Sequence, residues 1–296
     1  MMSLEKEPPA VHAYNLIEKV LFQPTHFNRK KLQQELSGKT ILITGASSGI
    51  GEQVAYMLKD LPVHLILVAR REENLRYIKN EIEKAEAAVT IYKADLRIDD
   101  DLNVVVQLIR ALPEGLDVVI SNAGLSINRS IHQSLDRVHD FTRTMAINYF
   151  APVKLLLALI PLLEKSQGQI VNVSTINSLL IPIPNWAAYQ ASKTAFDTWF
   201  RSVAIELKAS CVDTTSIYLP LVKTDMIRPT AAYDRMPAMC PNHVAEIICK
   251  SLYTKRKKYR PWWLLFGQLA SIVCRGGLER VMTKVNERKG DPRAGS

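Results

Sequence analysis

Tyr189 and Lys193 carry the side chains best suited to proton transfer in this sequence. They lie four residues apart in the segment YQASK, on a predicted helix, and so share one face one turn apart. A cation beside a phenol favours the phenolate and lowers the phenol pKa from its usual ~10. The tyrosine could then exchange a proton with a carbonyl or alcohol oxygen near neutral pH. The pair alone does not establish a catalytic role, because the same spacing also arises by chance with a solvated lysine.

A glycine-rich turn is the second chemical feature. The segment TGASSGIG follows the apolar run TILIT and precedes a predicted helix. Glycines there let the backbone approach a pyrophosphate at the helix N-terminus, where free N–H groups and the helix dipole favour anions. The spacing differs from the usual dinucleotide fingerprint, and an ordinary turn is the alternative. The residues predicted to contact a dinucleotide here are Gly45, Ser47, Ser48, Gly49, Ile50 and Gly51.

Two arginines, Arg70 and Arg71, end the second predicted strand. Proteins that bind NAD place an acid near this point to hold the ribose 2′-hydroxyl, whereas arginine accommodates a 2′-phosphate. Arginines without an acid at the strand tip therefore predict NADP(H). The alternative is a solvated helix start, since two glutamates follow directly.

Polar and small residues follow the next two predicted strands. Asp95 and Leu96 come after the third, where Asp95 could bind the adenine amino group or cap the following helix. Asn122, Ala123 and Gly124 end the fourth, and their small size would let the backbone lie against the adenosine ribose. The same three residues could form a simple turn.

The elements that must position these residues alternate between apolar strands and amphipathic helices. Predicted strands cover 40–44, 64–69, 89–94, 116–121 and 169–174, and predicted helices cover 52–59, 72–87, 104–112 and 145–163. This alternation predicts an α/β fold with a doubly wound parallel sheet of the Rossmann type and helices on both faces. Ligands of such sheets bind at the carboxyl ends of the strands.

The ordered set of motifs resembles the short-chain dehydrogenase/reductase family over about residues 38–250. The set is TGASSGIG, SNAG, Asn148, a hydroxyl pair ending the fifth strand, and YQASK. The resemblance implies that Tyr189 is the catalytic acid/base, and that Lys193 lowers its pKa and binds the nicotinamide ribose. It also implies that Asn148 holds a water of a proton relay, and that a hydroxyl after the fifth strand orients the substrate carbonyl.

The chain departs from the family pattern at two places. The family usually has serine as the second member of the hydroxyl pair, where this chain has Thr175. Thr175 can supply the same hydroxyl, and Ser174 or Ser178 are alternatives. After the sixth strand the family's Pro-Gly is Pro-Leu here; the backbone of Val222 and the Thr224 hydroxyl could still bind the carboxamide.

Within the family, the segments NAGLSI, DRVHDF, NYF and PLVKT resemble bacterial short-chain-type fatty acyl-coenzyme A reductases. This resemblance implies reduction of a thioester carbonyl by NADPH, followed by loss of the coenzyme A thiolate to leave an aldehyde. Lys223 and Arg228 could meet the coenzyme's phosphates or be solvated. The alternatives are an NADPH-dependent reductase of ketones or hydroxylipids and a non-catalytic dinucleotide sensor. Retention of the catalytic set speaks against the sensor.

The composition of the chain limits the classes of ligand and the cellular compartment that we expect. The 296 residues carry a formal net charge of +9, with 47% hydrophobic and 23% charged residues, as in soluble globular proteins. A basic excess suits anionic small molecules or an acidic membrane surface, and no nucleic-acid motif is present. Four scattered cysteines indicate neither a disulfide framework nor a metal site. The N-terminus resembles no signal peptide, and no run approaches the ~20 apolar residues of a membrane span, so we expect a cytoplasmic protein.

The two ends of the chain are predicted to be additions to one catalytic domain at 38–250. Residues 1–37 form an N-terminal helical extension with a helix at 11–22. In 251–296 the basic run KRKKYR precedes PWWLLF, which is typical of a peripheral membrane segment, although a cover over the active site or a subunit contact would look the same.

Two further expectations concern surfaces. The helix at 145–163 and the helix of the Tyr/Lys pair often form a dimer face in related proteins, so we expect a homodimer or homotetramer. Asp136, Arg137, His139 and Asp140 lack the spacing of a paired acid or a metal site, and we expect a solvated helix with an internal ion pair.

Overall fold

Seven strands form a single parallel sheet in the computed structural model, which describes residues 14–227, 233 and 236–290. The strands are β1 (Thr40–Thr44), β2 (His64–Ala69), β3 (Ala88–Lys93), β4 (Val118–Ser121), β5 (Gln169–Thr175), β6 (Asp213–Leu219) and β7 (Lys258–Tyr259). Their order across the sheet is β3-β2-β1-β4-β5-β6-β7, and every neighbouring pair is parallel. The predicted doubly wound α/β fold is confirmed.

Helices cover both faces of this sheet. They are α1 (Leu16–Leu21), α2 (Arg29–Leu36), α3 (Gly49–Leu58), α4 (Glu72–Ile82), α5 (Asp99–Arg110), α6 (Val138–Met145), α7 (Ala151–Ser166), α8 (Ala187–Ala209), α9 (Pro241–Thr254), α10 (Leu264–Val273) and α11 (Arg275–Gly290). A π-helical turn at 146–150 joins α6 to α7, and short 3₁₀ turns occupy 132–134 and 176–178.

The central strand β1 has three successive apolar residues, and the packing on the two faces of the sheet explains them. Ile41 and Ile43 point into a core shared with α2, α3, α4 and α9, whereas Leu42 points into a second core shared with α5, α7 and α8. Alternate residues of a strand face opposite sides of the sheet, so a strand covered on both faces has apolar residues at successive positions in its middle.

The site lies where the strand order reverses. β1 has β2 on one side and β4 on the other. The helix α4 that follows β2 packs on one face of the sheet, and the helix α7 that follows β4 packs on the opposite face. A crevice opens at the carboxyl ends of strands at such a reversal. The glycine turn after β1 and the Asn122 segment after β4 both lie at this edge.

Several predicted boundaries were wrong. The helix predicted at 145–163 starts earlier, with α6, and includes the π turn, so Asn148 lies in irregular helix rather than in a regular one. The helix predicted at 104–112 starts at Asp99, because three aspartates favour the positive end of the helix dipole in the first turn. The helix predicted at 72–87 ends at Ile82, and a turn then leads into β3.

The composite helix Val138–Ser166 is long and apolar enough, by length and composition alone, to cross a membrane. No run of that kind was expected from the sequence. The helix carries Asn148 at the site and packs against α5 and α8, so we interpret it as a core helix.

The two ends of the chain differ from the prediction in detail. The predicted helix at 11–22 appears as α1, with residues 11–13 outside the described part of the chain, and α2 was not predicted. β7 follows residue 250 and still completes the sheet. The division of the chain at residues 37 and 250 stays a prediction.

Candidate active site

Helix α8 brings Tyr189 and Lys193 to the carboxyl edge of β5. The Lys193 ammonium donates a hydrogen bond to the carbonyl of Val173, at 3.1 Å, and burial lowers its pKa to about 8. Burial raises the pKa of Tyr189 to about 12, while a hydrogen bond with the Thr175 hydroxyl acts in the opposite direction. The sequence predicted a lowered phenol pKa, but desolvation dominates here. The phenol is therefore protonated at neutral pH, which is the form that a general acid requires.

The three candidate hydroxyls after β5 differ in their partners. Thr175 lies against the Tyr189 phenol and also accepts a hydrogen bond from the backbone N–H of Asn177, at 3.3 Å. The Ser174 and Ser178 hydroxyls are buried and have no hydrogen-bond partner within the described part of the chain. The geometry therefore favours Thr175 as the hydroxyl that works with Tyr189.

Asn148 joins the loop after β4 to helix α8. Its Nδ2 donates to the Leu125 carbonyl (2.8 Å) and to the Ser192 hydroxyl (2.9 Å), and its Oδ1 accepts from the Leu125 N–H (2.9 Å). A Cβ on Gly124 would lie 3.1 Å from this Oδ1 and 3.5 Å from the Lys193 ammonium, so glycine permits the close approach. The π turn that carries Asn148 is a feature often found at functional sites.

The glycine turn forms a backbone cradle at the N-terminus of α3. Gly45 has φ +68°, and a Cβ on it would lie 2.9 Å from the Cα of Ala123. The Asn122 side chain donates to the Thr44 carbonyl at 3.0 Å and the Gly45 carbonyl at 3.3 Å, which fixes the turn against the end of β4. Gly49 has φ +59°, and a Cβ there would lie 2.9 Å from Cγ2 of Thr224. A narrow cradle of backbone N–H groups of this kind fits a dinucleotide pyrophosphate.

The remaining predicted residues of the turn occupy the same cradle. Ser47 is buried, Ser48 is the N-cap residue of α3, and Ile50 and Gly51 lie in its first turn. A Cβ on Gly51 would lie 2.6 Å from the Gly45 carbonyl oxygen, so close helix–strand packing requires glycine there.

Arg71 lies over the glycine turn. Its guanidinium donates to the Ser48 hydroxyl and, at 3.4 Å, to the Ser47 hydroxyl. Asn74, which the sequence did not single out, donates to the Ser47 carbonyl at 3.0 Å. Arg70 is exposed at the same edge. The Arg71 guanidinium places positive charge beside the turn, where a ribose 2′-phosphate would need it.

Asp95 makes a local contact. Its carboxylate accepts hydrogen bonds from the Arg97 backbone N–H (3.1 Å) and guanidinium (2.9 Å), which hold the pKa of Asp95 below its usual value. The N-cap residue of α5 is Ile98, so Asp95 is not the helix cap that was one alternative. Leu96 is buried beside it.

The segment after β6 returns to the cradle. Val222 forms a β-bridge with Met239, and Thr224 packs against Gly49. Lys223 forms an ion pair with the buried Glu18 of α1 at 2.7 Å, so its ammonium is engaged within the protein, which neither of the two roles considered from the sequence had included. Arg228, Pro229 and Thr230 lie outside the described residues.

Aromatic side chains that the sequence analysis missed surround Tyr189. The Trp186 ring lies 5.3 Å from the Tyr189 ring and 5.6 Å from the Tyr233 ring, measured between centroids. Asn128 donates to the Tyr233 hydroxyl at 2.8 Å. These residues come from three separate loops, and no local motif connects them.

The acidic and basic run before Asn148 is exposed at Asp136 and His139, as predicted, but Asp140 is buried. Asp140 is 1% exposed and pairs with Arg143 at 2.8 Å, Arg129 at 2.9 Å and Arg137 at 3.4 Å. Burial acts to raise the pKa of Asp140, but the arginines outweigh it and the net pKa is lowered. The predicted ion pair exists, whereas the predicted solvation of Asp140 was wrong because Arg129 covers it from the preceding loop.

Comparison with known proteins gives a consistent result. The family model described as short chain dehydrogenase matches residues 39–234. A fatty acyl-CoA reductase of Acinetobacter baylyi is 39% identical over 249 residues, which is 82% of this chain and 83% of that protein. A Mycobacterium tuberculosis protein also named fatty acyl-CoA reductase is 37% identical over 239 residues, 79% of this chain and 80% of that protein.

Solved structures share the fold. A metagenomic short-chain oxidoreductase in complex with NADP is 27% identical, with a TM-score of 0.65 over 76% of this chain and 97% of that one. A short-chain dehydrogenase from Sphingobium yanoikuyae in complex with NADPH, at 23% identity, has a TM-score of 0.71 over 83% of this chain and 95% of that one. The second likeness supports the fold alone.

Proposed function

Because the chain belongs to the short-chain dehydrogenase family, and is an oxidoreductase of that family, we propose that it reduces the thioester of a fatty acyl-coenzyme A to an aldehyde with NADPH. The observation that carries the substrate class is the 39% identity to the Acinetobacter baylyi fatty acyl-CoA reductase over about four-fifths of both chains. The aromatic wall of Trp186 and Tyr233 beside Tyr189 suits an apolar acyl chain.

The choice of NADP(H) rests on the cradle and its charge. Glycines hold the backbone of the turn open for a pyrophosphate, and the sequence at the tip of β2 has Arg70 and Arg71 and no acidic residue before them. Arginine binds a phosphate through planar, paired N–H groups. The related solved structure that is 27% identical contains NADP.

The chemistry follows from the positions of four side chains. NADPH, when bound, supplies a hydride to the thioester carbon. Tyr189 donates its phenol proton to the carbonyl oxygen, and the Thr175 hydroxyl orients that oxygen. Lys193 holds positive charge next to the reacting oxygen and the ribose, and Asn148 fixes the loop that closes the site. The resulting hemithioacetal loses the coenzyme A thiolate, and the products are an aldehyde and free coenzyme A.

The dimer expectation also has support on the surface. Leu157 of α7 and Ile205 of α8 are large apolar side chains exposed on the two helices expected to form a subunit face. We infer a homodimer or homotetramer through this face, in the cytoplasm, where the four free cysteines stay reduced.

A second candidate is simple reduction of a ketone or hydroxylipid. A chicken protein named hydroxysteroid 11-beta-dehydrogenase 1-like is 33% identical over 237 residues, 78% of this chain and 81% of that protein. Both reactions use the same proton donor, and they differ only in whether a thiolate leaves.

Product analysis separates the candidates. Purified protein with NADPH is offered a long-chain acyl-coenzyme A, the matching aldehyde and a panel of ketones. We expect aldehyde or alcohol from the thioester, with free coenzyme A released in proportion to the NADPH consumed. Reduction of ketones without coenzyme A release would replace the first candidate with the second. Tight NADPH binding without turnover of any carbonyl would indicate a dinucleotide sensor.

A further inference from the structure

Helix α1 exposes apolar side chains to solvent and buries a carboxylate. Leu16 is 81% exposed, and Ile17 and Val20 are also exposed, whereas Glu18 is only 3% exposed. A surface helix of a soluble protein normally places its apolar residues against the core and its charges in water. The arrangement of α1 is explained on its inner side, where the Glu18 carboxylate pairs with Lys223 and accepts the Ala238 N–H at 3.1 Å. Its exposed side carries three apolar residues beside Lys19.

Helix α10 shows the same inversion. Its exposed apolar residues fall at 265, 266, 269, 272 and 273, which is the spacing of a single helical face, and Ile272 and Val273 are 75% and 80% exposed. The residues turned inward are Leu264 and the polar Ser271. The apolar face of this helix therefore points away from the protein.

Trp262 connects the two helices. Its indole Nε1 donates to the carbonyl of Val20 in α1 at 3.2 Å, and its ring lies 6.2 Å from the Phe266 ring of α10. We call the exposed apolar side chains of α1 and of 262–273 the apolar platform. It draws on both ends of the chain, which a sequence analysis of the C-terminal segment alone could not show.

Basic residues border the apolar platform. Between residues 255 and 284 the chain has eight lysines and arginines and one acidic residue, Glu279. Arg256, Lys257 and Lys258 are exposed ahead of the platform, and Lys19 is exposed within α1. Anionic lipid headgroups attract such a border, and the tryptophan suits the boundary between headgroups and acyl chains. A second copy of the chain would bring the same positive charge and be repelled.

The apolar platform is attached to both loops that border Tyr189. A Cβ on Gly267 of α10 would lie 3.5 Å from Leu180, in the loop that leads from Thr175 to Trp186. On the other side, Glu18 of α1 bonds Lys223 and Ala238, at the two ends of the segment that contains Tyr233. The elements that face outward thus hold the walls of the substrate site.

We propose that the apolar platform is a docking surface for an anionic lipid bilayer, in which the chain lies on the membrane without crossing it. Docking presents the loop at 176–186, which contacts α10 through Leu180, to the lipid, from which an acyl chain can enter. Docking itself is independent of the proposed activity. The entry of an acyl substrate from the bilayer, in contrast, rests on the proposed function.

Flotation with vesicles tests the docking. Full-length protein is mixed with vesicles of phosphatidylcholine alone or with equal parts of phosphatidylglycerol. We expect binding to the anionic vesicles, and at least about a hundredfold weaker partitioning for the triple variant Ile17→Ser, Phe266→Ser, Ile272→Ser, because each serine removes apolar area from the lipid contact. The matched control is Val104→Ser with Leu108→Ser, two exposed apolar residues of α5, which keeps full binding.

Three results would overturn the docking: no binding of the wild type to anionic vesicles, equal loss of binding in the control, or self-association that the triple variant abolishes in the absence of lipid. Unchanged far-ultraviolet circular dichroism and NADPH binding show that the variants fold. Turnover of a short-chain, water-soluble acyl-coenzyme A without vesicles reports the proposed activity separately. We expect it to be equal in the wild type and the triple variant, and its absence from both would reject the acyl-coenzyme A assignment while leaving the docking result intact.

Discussion

The two halves of the site are built from different parts of the chain. The cofactor half consists of backbone at the ends of neighbouring strands, and hydrogen bonds between these strand ends hold it, such as the one from the Asn122 side chain to the Gly45 carbonyl. The substrate half consists of side chains on loops, and helices from the two ends of the chain hold these loops in place.

Because of this difference, cofactor binding and substrate selectivity depend on separate parts of the chain. A cradle of glycines between buried strands can change little without loss of the fold, because a Cβ on Gly45 or on Gly51 would lie under 3 Å from a backbone atom. Loops held by α1 and α10 can change their lining while the cradle stays intact. We therefore expect variants of the two halves to fail in different assays.

Tyr189→Phe should produce the largest effect. The phenol is the proposed proton donor, so we expect turnover to fall by at least about a hundredfold, the range of a lost general acid. NADPH binding, measured by fluorescence titration, should stay nearly unchanged because the cradle is untouched. Comparable turnover in the variant would remove the assigned mechanism, and loss of binding as well would show that the two halves are not separable.

Substitutions in the hydroxyl pair sharpen the comparison within the substrate half. Thr175→Val keeps the shape of the side chain and removes the hydroxyl that contacts Tyr189. We expect at least about a tenfold fall in kcat, the size of one lost hydrogen bond in the transition state. Ser174→Ala is the matched control and should have little effect, because its hydroxyl has no partner within the described residues. The reverse order of effects would assign the role to Ser174.

The arginines test the cofactor half. Arg70→Asp combined with Arg71→Ala should lower the preference for NADP over NAD, as the ratio of kcat/KM, by at least about tenfold, since a charged hydrogen bond to phosphate is worth ~1.5–3 kcal/mol. Arg76→Ala, an exposed arginine paired with Glu72 on the same helix, is the control. An unchanged ratio in the double variant would mean that Ser47 or Ser48 holds the phosphate.

The pH dependence gives the smallest effect. Burial lowers the pKa of Lys193 to about 8, so the ammonium is present below that pH and lost above it. The kcat/KM for reduction should fall as pH rises through about 8, while the Tyr189 phenol, with its pKa near 12, keeps its proton throughout. Lys193→Arg stays charged and should abolish this limb. A limb that persists near pH 8 in the arginine variant would belong to another group.

The same contrast explains what could be predicted from the sequence. The strands around β1 were predicted because continuous apolar runs mark strands buried on both faces, and the cradle was predicted because its glycines are neighbours in sequence. The two-residue strand β7 is too short to leave a pattern. Glu18 bonds Ala238, 220 positions away, and no local spacing reveals such a contact.

The burial of charged side chains was the second feature that the sequence did not predict. A sequence in which Asp140 stands among arginines is typical of a solvated helix, yet the structure buries the carboxylate beneath Arg129. The direction of the Tyr189 pKa depends in the same way on desolvation by distant elements, which the spacing of Tyr189 and Lys193 does not report.

The most direct test of the central claim follows the hydride itself. NADPH carrying deuterium at its transferable position is incubated with the protein and a long-chain acyl-coenzyme A, and the product and the released thiol are measured by mass spectrometry and a thiol assay. We predict an aldehyde with deuterium on the former thioester carbon, or an alcohol formed from it, and free coenzyme A that rises with the NADPH oxidised. Oxidation of NADPH without deuterium on that carbon and without released thiol would contradict the account.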